Sequence, residues 1–234
     1  MTEDFEKEKG ASDFLAYYIH QPIENWIVKK LRFTWVTPNQ VTVATNILAY
    51  LVTILYLSGN LLSGSILSFV VGVADGIDGK LARAKNMTSN LGKLEHAFDL
   101  LYEFSWLAAL AFYLSGYLNS YTPLLLGMMS IIIISFYRFT YDTFGRIIGT
   151  SFDIYAPFEK RFRRIAGRRN LYNIHILLAV LFGAPLIALY SITIHAALTA
   201  IVYALRVGCH LNNLDREERG FTSNTNALEP IERP

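Results

Sequence analysis

The chain has 234 residues, 53% of them hydrophobic and only 17% charged, with a mean hydropathy of +0.31. A soluble domain of this length carries about 25% charged residues, so the composition excludes an ordinary soluble protein and indicates an integral membrane one. The net charge of +2 says nothing by itself and no nucleic-acid partner is expected; a single cysteine, Cys209, excludes an internal disulfide and reads as a packing residue.

Residues 1–10 (MTEDFEKEKG) are polar and charged, and read as a disordered start rather than a cleavable signal peptide. Over 11–36, Phe14, Leu15, Tyr18, Ile19, Ile23, Trp26 and Ile27 recur at helical spacing, with Lys29, Lys30 and Arg32 near the end and Pro22 as a break or kink. This predicts an amphipathic helix lying on the membrane interface. Thr37-Pro38-Asn39-Gln40-Val41-Thr42 then reads as a helix start, with Thr37 or Asn39 as cap and Pro38 in the first turn.

Six apolar stretches follow, each near the roughly 20 residues a spanning helix needs. They cover 41–58, 62–81, 94–117, 123–141, 171–189 and 191–211, the last two divided only by Gly183-Ala184-Pro185 and Tyr190. The fold class predicted is all-α integral membrane, with six transmembrane helices in residues 37–212 and a flexible cytoplasmic tail over 213–234. Connections after the first, third and fifth stretches hold no Lys or Arg, whereas Lys29, Lys30, Arg32, Arg83, Lys85, Lys93, Arg138, Arg146 and the run from Lys160 to Arg169 lie on the other side. By the positive-inside rule that side and both termini are cytoplasmic. His175 and His195 read as core histidines, and Trp26, Trp35, Tyr117, Tyr121 and Tyr172 as an interfacial aromatic belt.

The most informative stretch is DGIDGKLARAKNMTSNLGKLEHAFD, from Asp75 to Asp99. Charge beside a bilayer-spanning segment is expensive and usually functional. At about 100° per residue, Asp75, Asp78, Gly79 and Ala82 share one helical stripe, so two carboxylates sit beside residues with almost no side chain. Glu95 and Asp99 are i,i+4 neighbours on the next helix. If the two helices pack antiparallel, the four acids converge, and four oxygen donors suit Mg²⁺, Mn²⁺ or Ca²⁺ rather than zinc. The alternative is helix-end carboxylates paired with Lys80, Arg83, Lys85 and Lys93; four acids on two stripes favour a site. Asp75 lies about 20 Å along its helix from the outer end, so that site opens inward.

The inner connection 140–170 contains EKRFRRIAGRRN, with six basic residues between Lys160 and Arg169. It reads either as a loop binding anionic headgroups or as a phosphate clamp of Arg164, Arg168 and Arg169, arginine being suited to bidentate phosphate contact. Arg138 is a further candidate.

Asp75, Asp78, Gly79, Ala82, Arg83 and Gly92 match, position for position, the signature of the CDP-alcohol phosphotransferases, D-x-x-D-G-x-x-A-R, eight residues and Gly. In that signature two further Asp follow at i,i+4. Strict counting puts them at His96 and Leu100; a shift of one residue gives Glu95 and Asp99 and restores both carboxylates. The shifted register is adopted, with His96 and Glu103 kept as possible members. The resemblance implies a membrane homodimer of six-helix subunits and transfer of a substituted phosphate from a CDP-alcohol lipid to an alcohol acceptor, with release of CMP. It implies two Mg²⁺ or Mn²⁺ ions per subunit on Asp75, Asp78, Glu95 and Asp99, with Asp99 also the candidate base. Asn39, Thr42, Gly79, Ala82 and Arg83 become donor-site candidates, and Arg138, Arg164, Arg168 and Arg169 candidates for an acceptor phosphate such as that of inositol phosphate or glycerol phosphate. The rival readings are a divalent-cation or proton-coupled transporter, for which no acidic pair appears in the later helices, and a scaffold, which leaves the signature unexplained.

Overall fold

The computed structural model describes residues 13–88 and 95–226, and every regular element among them is helical. A π-helical turn, Ala16–His20, runs into α1 (Gln21–Leu31); α2 (Pro38–Leu57), α3 (Leu61–Ala84), α4 (Glu95–Leu118) and α5 (Thr122–Ile148) follow. Two short helices, α6 (Phe152–Tyr155) and α7 (Pro157–Phe162), precede α8 (Arg169–Leu181) and the long α9 (Leu186–Asn226). Among the described residues five helices are long and apolar enough to cross a membrane: α2, α3, residues 97–118 of α4, α5 and residues 186–217 of α9. The chain is an all-α integral membrane protein.

The fifth expected span is the exception. α8 has 13 residues, about 20 Å of helix, and stops well before residue 189. Gly183, at φ +67°, closes it: the Gly183 amide donates to the Val180 carbonyl (3.0 Å) and the Ala184 amide to the Ala179 carbonyl (2.9 Å). This pair of bonds around a left-handed glycine is the Schellman stop, and Pro185 prevents continuation. Tyr190 therefore lies inside α9. α5 runs two turns past residue 141, until Gly149 at φ +75° ends it; Tyr141, Asp142 and Arg146 lower the hydropathy without breaking the helix. α9 likewise continues to Asn226, into the segment expected to be a tail.

The start of α2 is as expected. The Thr37 hydroxyl accepts from the Gln40 amide (3.3 Å) while the Gln40 side chain accepts from the Thr37 amide (2.8 Å), a capping box with Pro38 in the first turn. α2 lies against α3 and α4, α4 against α5, α5 against α9, and α8 between α3 and α9. The core is built of Tyr56, Trp106, Leu107, Leu110, Leu114, Ile134, Ile176 and Ile192 among others. Small residues set the closest approach: a Cβ on Gly127 would stand 2.5 Å from that of Ala111. The outer surface carries Ile47, Ile54, Phe112, Met128, Ile132 and Leu198, all exposed as lipid-facing residues are.

The N-terminal segment is amphipathic, as expected, with its polar face turned toward the protein. Phe14, Tyr17, Tyr18, Ile19, Ile23 and Trp26 are exposed, whereas Asp13, His20 and Glu24 are buried. Pro22 does not break it; the π-turn immediately before absorbs the missing amide. Glu24 pairs with Lys80 of α3 (3.0 Å), whose ammonium also donates to the Asn25 amide oxygen (2.5 Å). Gly72 and Gly76 make room, since Cβ atoms there would stand 2.8 Å from His20 and 2.2 Å from the Glu24 carboxyl. Removing one partner of a buried pair strands the other, so Glu24→Ala is expected to cost about 3–5 kcal/mol, whereas Glu24→Leu with Lys80→Met recovers most of the loss. Thermal unfolding in detergent micelles checks this; an unchanged midpoint for the single variant would show that the pair does not hold α1 to α3.

Candidate active site

The acid-rich stretch reaches its cavity because α3 continues through it to Ala84 without interruption. Asp75 and Asp78 thus face the same way, as their spacing predicts, toward α2 and α4. Thr42, Thr45, Asn46 and Ala49 of α2, Val71, Asp75 and Asp78 of α3, and Asp99 and Tyr102 of α4 line a small, partly enclosed space. The α2 residues stand at i, i+3, i+4 and i+7, a stripe of small and polar side chains on an apolar helix. That pattern is readable in the sequence, although of these four residues only Thr42 is a candidate there.

Asp78 is buried and held on both oxygens: Oδ2 accepts from the Thr42 hydroxyl (2.5 Å) and Oδ1 from the Gly79 amide (2.6 Å). Asp75 and Asp99 face each other across the cavity, and between them lies the guanidinium of Arg169, the first residue of α8. Its Nη2 donates to Asp75 Oδ2 (2.5 Å) and its Nη1 to Asp99 Oδ1 (3.1 Å), and it lies 5.3 Å from the centre of the Tyr102 ring. The two carboxylates are each 26% exposed and Arg169 only 12%, so the cation is the more enclosed group. Arg169, a candidate for an acceptor phosphate, is thus in the acidic centre itself.

Its backbone is fixed from two other helices. Tyr137 of α5 donates to the Gly167 carbonyl (2.8 Å) and contacts the Tyr172 hydroxyl (3.1 Å), while the Gly167 amide donates to Thr199 of α9 (2.8 Å). Arg168 points the other way, its Nη1 on the buried Asp13 carboxylate (3.2 Å), which also accepts from Asn170 (3.2 Å) and caps the Ala16 amide (2.8 Å). Beside them is His20, where burial holds the imidazole below its ordinary range against the opposing pull of Asp13 and Asp75. Asp13, His20 and Asn170 gave no signal in the sequence.

The other candidates are distributed as follows. Gly79, Ala82 and Arg83 are half-buried on the same stretch of α3, with Gly79 open enough that a Cβ would meet only Arg83, at 3.6 Å. Asn39 is exposed on the first turn of α2 and does not line the cavity. Glu103, one turn beyond Asp99, is fully buried and paired with Arg138, which leaves both outside the cavity lining. Arg164 is exposed; its contribution is a carbonyl that accepts from the Phe14 amide (3.1 Å). Gly92 and the side chains of Glu95 and His96 lie outside the described residues. Among the described residues no three of His, Cys, Asp and Glu stand close enough to cage an ion. His175 and His195 are a pair, not lone histidines: they contact each other at 3.1 Å, and His195 reaches the Ile165 carbonyl at 2.7 Å.

Carboxylates from two membrane helices, closed by an arginine over a small cavity, define a polar reaction site built into a helical membrane protein. Residues 35–158 match the CDP-alcohol phosphatidyltransferase family, more than half of the chain, and the protein belongs to that family. A Thermococcus kodakarensis protein named bifunctional IPC transferase and DIPP synthase is 34% identical over 130 residues, which are 55% of this chain and 30% of that protein. The chain thus spans under a third of that relative. The fold is that of the Mycobacterium tuberculosis phosphatidylinositol phosphate synthase solved with CDP-DAG bound: the TM-score is 0.63 at 13% identity, covering 80% of this chain and 94% of that one.

The seat of Arg169 depends on Gly167, where a Cβ would fall 2.2 Å from the Tyr172 hydroxyl and 3.0 Å from that of Thr199. Gly167→Ala is expected to destabilise the protein by about 1–3 kcal/mol through overpacking, and adding Tyr172→Phe to restore part of it. A Gly167→Ala protein that melts with the wild type would show that the loop yields freely.

Proposed function

We propose that this protein transfers a substituted phosphate from a CDP-alcohol lipid, CDP-diacylglycerol or an ether analogue, to an alcohol acceptor that itself carries a phosphate, of the inositol phosphate or glycerol phosphate kind, and releases CMP. The observation that carries this reading is the convergence of Asp75, Asp78 and Asp99 on one cavity with Arg169 between two of them. The names of the relatives support it, since one is a phosphatidylinositol phosphate synthase with CDP-DAG bound and the other an IPC transferase.

The donor set fits a hard divalent cation. Its atoms are carboxylate oxygens with the Thr42 hydroxyl beside them, and a guanidinium already occupies the place where oxygen donors from two helices meet. Asp75, Asp78 and Asp99, with Glu95 as fourth, would hold Mg²⁺ or Mn²⁺, two per subunit, which when bound neutralise the charge of the diphosphate. Thr42 and the Gly79 amide orient Asp78. Asp99 takes the proton of the acceptor hydroxyl; the acceptor oxygen forms its bond to the lipid-bearing phosphorus as the bond from that phosphorus to CMP breaks. Gly79 and Ala82 let the nucleotide approach the α3 backbone, with Asn39, Thr42 and Arg83 around it. Arg168 and Arg169 are the candidates for the acceptor's phosphate, and the positive-inside pattern supports a site that opens to the cytoplasm.

The test is Mg²⁺-dependent CMP release from CDP-diacylglycerol by purified protein against a panel of acceptors. Release is expected only with a phosphorylated polyol, and Asp78→Asn is expected to abolish it without unfolding the protein. Retained activity in that variant would remove Asp78 from the site. Glu95→Gln should be inactive and His96→Ala active; the reverse would restore the strict register of the signature.

A further inference from the structure

Asp75 and Asp99 belong to different helices and face each other in a partly enclosed space, so neither is easily ionised beside the other unless a cation lies between them. The chain supplies that cation from a third helix. Arginine stays charged at any physiological pH, and Arg169 makes one charge-assisted bond to each carboxylate. It thereby uses the oxygens that a divalent ion would need.

The two neighbouring arginines differ in their partners. Arg168 is tied to Asp13, a carboxylate that is itself buried and shared with Asn170 and the Ala16 amide. The backbone just before them, at Gly167, is clamped by Tyr137 and Thr199. The partners of Arg169 are instead the candidate metal ligands, and its long stem ends in a planar group suited to phosphate.

We propose that Arg169 is a tethered counter-ion: it holds Asp75 and Asp99 together until a divalent cation takes its place, and the released guanidinium then meets the phosphate of the acceptor. This rests on the metal-dependent reading above and adds an order to it, metal before acceptor. A compact divalent ion attracts the two carboxylates more strongly than a diffuse single charge and repels the guanidinium at short range. Arg169 loses its partners as its surroundings turn cationic, and the nearest anion offered to it is the acceptor's phosphate. The same residue thus disfavours capture of phosphate at a site with no metal, because two of its five N–H donors are held by the carboxylates and its charge is offset by theirs.

Mn²⁺ titration of the full-length protein in lipid nanodiscs, followed by electron paramagnetic resonance without substrates, tests this. Arg169→Gln removes the competitor and is expected to tighten Mn²⁺ binding by about tenfold or more, with Arg169→Lys in between. Lys160→Gln, which loses one exposed charge elsewhere, is expected to stay within about twofold of wild type. Thermal stabilisation by glycerol phosphate or inositol phosphate should appear in the wild type only with Mn²⁺, and be absent from Arg169→Gln even with it. Equal or weaker Mn²⁺ binding by both Arg169 variants, or stabilisation of the wild type by phosphate compounds without metal, overturns the proposal and leaves the transferase reading standing. Failure of the wild type and every variant to bind Mn²⁺, with Asp78→Asn indistinguishable, overturns both.

Discussion

The arrangement depends on one charge placed between two others. Asp75 comes from α3 and Asp99 from α4, and bringing them to one cavity is unfavourable unless something cationic joins them. Arg169 does so from α8, with contacts at 2.5 and 3.1 Å. Three helices are therefore required to agree in height before the site exists. Because Arg169 sits at the very start of α8, the turn before it must be immobile. α5 and α9 provide that through Tyr137 and Thr199, although neither helix lines the cavity.

The same device recurs away from the site. Glu24 with Lys80, Glu103 with Arg138, Glu159 with Arg206, Asp153 with Arg163 and Asp13 with Arg168 each join a buried acid to a base on another element. Such pairs contribute little net stability, since desolvation offsets most of the attraction. Their value lies in choosing which helix faces which, and in a membrane that choice is not made by hydrophobicity, because every outer face is apolar. In this protein polar pairs do the sorting, and the reaction site differs only in that one base serves two acids.

Much of this was legible in the sequence. The period of the α-helix was enough to put Asp75 and Asp78 on one stripe, and the Thr37–Gln40 box marked where α2 begins. The arginine run was recognisable as important, but its destinations were not. Arg169 is 94 residues from Asp75, and nothing in local spacing distinguishes a guanidinium that meets phosphate from one that meets carboxylate. Gly183-Ala184-Pro185 is legible as a divider, yet hydropathy, continuous across Gly183, carries the span on to residue 189, because the stop is a backbone geometry. The orientation of the first helix was likewise open: periodicity reveals two unlike faces, and only packing tells which one the protein keeps for itself.

Resemblance to the family begins at residue 35, yet the packing already involves Asp13. Lys80 and Arg168 both find their acids in the preceding segment, and it is the aromatic side of that segment that looks outward. A shortened protein cut to the limits of sequence similarity would present an ammonium and a guanidinium to hydrocarbon or detergent. What looks like a leader to the enzyme is its polar lining, worn on the outside of α3 and sheathed in tyrosine and tryptophan.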